Sequence, residues 1–157
     1  MSEHCGGLLG WECEMARINY AHFHHDPEPP QRRAEKKPAY ISWLHNLCCA
    51  ATGREDELQA AHVSYAMPWY GHWGRAKGTK APDLFALPLC REEHNRQHSM
   101  GESAYWLSLG IDPHLLGLTL FGIYSSYDEA VSIERAKSRI ISGLAATGRL
   151  PKSRTDV

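Results

Sequence analysis

The sequence predicts an α+β domain: a small core of two antiparallel strands joined by a long loop and packed on a helix, with further helices flanking it. Three observations carry this. Two short apolar runs, QAAHVSYA (59–66) and LFALPL (84–89), have strand character, the first through β-branched Val63 and aromatic Tyr65. About seventeen residues with three glycines and two prolines, MPWYGHWGRAKGTKAPD, separate them and form a loop of the length usually reserved for function. The second run then leads straight into CREEHNRQHSMGESAYWLSLG, a helical stretch ended by Gly110.

The remaining elements follow in order. Residues 1–39 form an N-terminal extension, because LLGWECEMARINYAHFHH has only scattered apolar residues and DPEPPQRRAEKKPAY is a proline and charge segment with nothing to bury. His22, His24 and His25 fall in this extension and read as incidental rather than as a metal site. The folded domain, 40–124, opens on YISWLHNL, which places Ile41, Leu44, Trp43 and Leu47 at helical spacing, and CCAATGRED turns the chain through Gly53. Beyond Gly110, Asp112 and Pro113 start a helix through HLLGLTLFGIY. In the C-terminal segment, 125–157, Ala130, Ile133, Ala136, Ile140 and Leu144 share one helix face, with Ser126 or Asp128 as the N-cap and a frayed tail PKSRTDV.

Composition limits what such a domain does. The chain has 157 residues, enough for one core, and a net charge of -1 with a pI near 6.8, so any attraction for phosphate is local rather than global. Five cysteines, an odd number with one adjacent pair, make a poor disulfide framework and fit a reducing cytoplasm. No apolar run approaches the ~20 residues of a membrane span, so the expected setting is cytoplasmic with no membrane partner.

Chemistry-bearing residues concentrate between Ala61 and Met100. His94 and His98 lie four apart on the predicted helix, so both rings leave one face and can share an ion. A pair at that spacing is more often a solvated helix face; here Asp83, just before the second strand, can add a carboxylate to the same ion, and antiparallel pairing brings His62 across from the helix. Arg75, Lys77 and Lys80 alternate with glycines in the loop, where backbone and cations can approach a phosphate; an ordinary exposed loop accounts for them equally well. Trp69, Tyr70 and Trp73 can stack on unpaired bases, although tryptophans near strands usually belong to a core. His72 is a spare ligand candidate, and Met67, Met100, Trp106 and Leu109 are assigned to packing.

A strand histidine, a loop, a second strand and an H-x3-H helix, in that order over about Trp43 to Tyr124, resemble the HNH (His-Me finger, ββα-metal) nucleases. The nearest likeness is to the phage and prophage group that includes the recombination-enhancement nucleases, through AAHVSYA, GRAKGTKAPDLFALPLC and HNRQHSMGESAYWLSLGIDPH. The resemblance implies a metal-dependent endonuclease acting on DNA and leaving a 5′ phosphate and a 3′ hydroxyl. His62 falls on its general base, and His94 and His98 on its metal-binding helix histidines. Asp83, two residues before Phe85, is the nearest polar substitute for the motif's asparagine and is expected to serve catalysis, metal binding or both. The cofactor implied is one divalent ion: Zn, Mn and Ni suit two imidazoles, and Mg is admitted if a carboxylate and waters contribute.

Departures from the pattern define the alternative. Many family members clamp the fold with zinc in two Cys-x2-Cys knuckles, whereas here Cys49 is followed by Thr52 and Cys90 by Glu93, so no structural zinc is expected and the two thiols become small buried neighbours. Ala61 stands where the colicin type has a further metal histidine. The alternative is therefore a catalytically decayed HNH-fold module that binds nucleic acid or acts as an adaptor.

Overall fold

A computed structural model of the chain describes residues 35–75 and 81–149. The extension up to residue 34, with His22, His24 and His25, lies outside the described residues, as do Lys77, Lys80 and the C-terminal tail. Among the described residues the architecture is α+β, a two-stranded antiparallel sheet with five helices.

Helix α1 (Pro38–Leu44) begins with proline, whose fixed φ and missing N–H suit the first helical turn, and buries Tyr40, Trp43 and Leu44. Strand β1 (Leu58–His62) pairs with β2 (Ala86–Cys90), with Leu58 opposite Cys90 and His62 opposite Ala86. Both strands are shorter than their apolar runs: pairing stops at His62, and Val63 N–H reaches Phe85 O at 3.1 Å as the chains diverge. Pro88 is tolerated within β2 because the sheet has only edges. Its carbonyl accepts from Ala50 N–H at 2.8 Å, stitching the turn after α1 to the sheet. β2 is buried along its whole length, whereas β1 is mostly half-buried, so β2 forms the spine and β1 carries the accessible side chains.

The predicted helix after β2 is two helices. α2 (Arg91–Met100) and α3 (Glu102–Leu109) are separated by Gly101, which at φ 83 and ψ 136 occupies backbone space that a side chain disfavours. α2 is polar on nearly every side and buries only Gln97; Met100, expected to pack, is 41% exposed at its end. α3 buries Tyr105, Trp106 and Leu109. α4 (Pro113–Ser126) is capped by Asp112, whose Oδ1 accepts from the N–H groups of His114 and Leu115 at 3.0 Å. Gly117 lets α4 lie against the turn before β2: a Cβ there would stand 3.2 Å from Leu84 O and 3.3 Å from Phe85 Cα. α5 (Glu129–Ala146) is capped by Asp128, not Ser126, through Val131 N–H at 3.0 Å. Its buried face is Ser132, Ala136, Ile140 and Leu144; Ala130 is exposed, and Ser132 is buried because its hydroxyl accepts the Trp43 indole N–H at 2.9 Å.

One hydrophobic cluster includes Tyr40, Trp43, Phe85, Leu87, Trp106, Leu120 and Ile140, so α5 shares the core of the strand pair. Each large apolar side chain buried there contributes about 1.5–3 kcal/mol. Cys49 and Cys90 sit in it as free, buried thiols, and burial pushes the Cys90 thiol up. No single helix of the described residues is long and apolar enough to cross a membrane.

Candidate metal and catalytic centre

Strand β1 and helix α2 pack together, and the contact is made by chemistry-bearing side chains. His94 Nδ1 lies 2.7 Å from Gln59 Oε1 on β1. An amide oxygen only accepts, so Nδ1 carries the proton and the Nε2 lone pair of His94 is free. That Nε2 is 3.1 Å from Nε2 of His98, one helical turn on. Two imidazole nitrogens each about 2.0–2.1 Å from a shared ion stand roughly 3.0–3.4 Å apart, so the pair has the spacing of two ligands. Burial first, then the neighbouring His98 and His62, hold the His94 pKa below the ordinary imidazole value, with Glu102 opposing. His94 is therefore neutral and ligand-competent at neutral pH.

His62 closes the same strand. Its Nε2 lies 2.8 Å from Asp83 Oδ1. A carboxylate there accepts the hydrogen bond that Nε2–H donates, fixes the ring plane and leaves the Nδ1 lone pair to act as a base. The other Asp83 oxygen accepts from Lys37 N–H at 2.6 Å, so the last residue before α1 helps to orient the dyad. Asp83 was expected to reach the helix ion as well; its two oxygens lie against His62 Nε2 and Lys37 N–H. Among the described residues no group of three or more His, Cys, Asp or Glu side chains converges as a metal cage.

Two groups that the spacing did not mark complete the centre. Gln59 is a positioning residue for His94, and nothing three positions before a strand histidine announces it. Glu102, the first residue of α3, accepts from Ser64 N–H and Ser64 Oγ, both at 2.7 Å, and so ties the backbone leaving β1 to the helix break. Between them opens a shallow pocket of about 370 Å³ beside His98, lined by Ser64, Gln97, His98, Glu102 and Ser103. Gln97 is buried there with neither amide atom paired among the described residues.

The loop histidine is elsewhere. His72, expected as a spare ligand on a flexible loop, is buried, stacked on Phe85 at 4.3 Å, with Nδ1 2.9 Å from His114 Nε2. Burial and the neighbouring His114 depress its pKa to about 4. Of the three loop cations, Arg75 is described and exposed, and its N–H donates to Ser64 O at 3.2 Å. Trp69 is 92% and Trp73 39% exposed, which removes both from the core.

Residues 21–117 match the family described as "Protein of unknown function (DUF968)", more than half of the chain. The chain belongs to the DUF968 family. The matched segment of this DUF968 protein contains His62, Asp83, His94 and His98, and it ends within α4. The chain is also similar to "Uncharacterized protein YdfU" of Escherichia coli (strain K12), 37% identical over 81 residues that cover 47% of this chain and 21% of that relative. The chain thus aligns with about a fifth of that relative's length. No solved structure matches it.

Proposed function

We propose that this DUF968 protein is a metal-dependent endonuclease of the HNH (His-Me finger) type, hydrolysing DNA phosphodiester bonds, and that it is phage or prophage encoded. The observation that carries the reading is the pairing of a carboxylate-oriented histidine, His62–Asp83, with two helix imidazoles whose Nε2 atoms lie 3.1 Å apart and whose inner member is fixed by Gln59. A borderline divalent cation suits that donor set, and His94 and His98 would hold it. When bound it supplies positive charge for the phosphate oxygens as negative charge grows on them.

The remaining chemistry belongs to the chain. His62 Nδ1 takes a proton from the water whose oxygen bonds to phosphorus, while the bond from phosphorus to the 3′ oxygen breaks. Asp83 holds the ring in place and faces the charge that the ring acquires. The departing oxygen is protonated from solvent, giving a 3′ hydroxyl and a 5′ phosphate. The pocket beside His98 offers room for the strand next to the scissile bond. Nicking of supercoiled plasmid by purified protein with added manganese, nickel, zinc or magnesium, abolished by EDTA, is the expected result; no cleavage with any of the four would overturn the proposal.

The second reading is a catalytically decayed nucleic-acid-binding module, favoured by a ligand set of two side chains among the described residues. Under it, the protein binds DNA in EDTA and none of the four ions supports nicking.

A further inference from the structure

Trp69 is the most exposed large hydrophobic residue among those described, and the turn that carries it is rigidly built. Met67 N–H donates to His72 O at 2.7 Å and His72 N–H returns to Met67 O at 3.3 Å, closing a small bridge around a 3-10 turn, Pro68–Tyr70. Gly71 N–H closes the turn on Pro68 O at 2.9 Å. Tyr70 OH donates to Asp112 Oδ2 at 2.7 Å, and His72 is locked between Phe85 and His114. An indole held in water by so many internal contacts gains nothing for the fold, and it loses little conformational freedom when something stacks on it.

The surroundings say what that something is. Trp73 follows four residues later, partly exposed, and Arg75, two residues further on, is exposed. Arg75 is hydrogen-bonded to Ser64, two residues from His62, so the turn returns the chain to the rim of the catalytic centre. A protein-docking patch is built of contiguous apolar side chains; two exposed indoles followed along the chain by an exposed arginine instead have the composition of a single-strand stacking platform.

Resting on the nuclease reading above, we infer that Trp69, supported by Trp73 and Arg75, is a stacking site for unpaired nucleobases and directs the centre to single-stranded or locally unpaired DNA. The test is equilibrium binding of an oligothymidylate and of a duplex of equal length in EDTA, read by quenching of tryptophan fluorescence and by anisotropy of labelled DNA. Trp69→Ala is expected to weaken oligothymidylate binding about tenfold and to change duplex binding less than about twofold. Trp69→Phe, which keeps a stacking face, restores most of the loss. Arg75→Ala weakens both forms and lowers the salt dependence by about one ion. Equal affinity of wild type and Trp69→Ala for oligothymidylate overturns the inference, as does equal loss on both forms, or wild-type protein that binds no oligonucleotide. Because the assay contains no metal, it separates this site from catalysis. Metal-dependent nicking without Trp69-dependent binding removes the stacking site alone.

Discussion

Two histidine pairs in this molecule have nearly the same internal geometry and opposite characters. His94 and His98 face one another at 3.1 Å on the polar helix α2; His72 and His114 face one another at 2.9 Å between the loop and α4. The first pair lies nearer the surface, His94 half-buried with its far nitrogen fixed by Gln59 and His98 exposed. The second is sealed beneath Phe85, Tyr65 and Tyr70, with His72 Nε2 and His114 Nδ1 unpaired among the described residues. Access, rather than spacing, suits the first pair to the ligand role proposed above and leaves the second a structural peg: an ion at the surface would keep water in its remaining positions, and a buried pair has neither the room nor the further donors.

The largest expected effect falls on the accessible side. His62→Ala should reduce metal-dependent nicking by at least roughly 10²-fold, the scale of a lost general base, while the thermal midpoint stays within a degree or two. A variant that nicks normally would break the distinction between a working and a packing histidine. His72→Ala should do the reverse, lowering unfolding stability by on the order of 2 kcal/mol in urea titrations without altering divalent-ion affinity at neutral pH.

The buried pair also predicts a pH profile. The folded-state pKa of His72, about 4, lies below its unfolded value near 6.5, so the folded protein resists protonation. Its contribution is fully present above pH 6.5 and is lost as pH falls toward 4, by up to about 3 kcal/mol. The urea midpoint should therefore drop between pH 6.5 and 4 in wild type and drop less in His72→Phe; a midpoint rising over that interval would contradict the burial assigned to this ring.

Smaller effects sharpen the metal side. Gln59→Ala should weaken divalent-ion binding, measured calorimetrically, by about 10–100-fold, because the His94 tautomer and ring plane are no longer fixed. Smallest is Gln97→Met, which removes two unpaired buried amide atoms and should stabilise the fold by roughly 1 kcal/mol while raising KM for DNA; unchanged KM would show that the pocket beside His98 does not meet substrate.

Much of this arrangement is legible in the sequence. The strand, loop, strand, helix order, the H-x3-H spacing, the end at Gly110 and the Asp112 and Asp128 caps are local signals, set by periodicity within a few residues and by side chains that bond their own backbone. The break at Gly101 was less legible, since a lone glycine within a helical pattern is often accommodated, and only the packing of α3 on the core demands its left-handed φ.

What the tertiary structure alone decided was partnership. Asp83 meets His62 across 21 residues, Gln59 meets His94 across 35, and His72 meets His114 across 42, and no periodicity reports on contacts at such separations. The same holds for exposure: the sequence contains Trp69 and Trp106 as identical letters, and only the tertiary fold puts one into water and the other, on α3, into the core. The sequence alone therefore specified which side chains capable of proton transfer and ligation this protein possesses and which short elements bear them. Folding then determined which of them meet, because hydrogen bonds and desolvation act over a few ångströms of space whatever the distance along the chain.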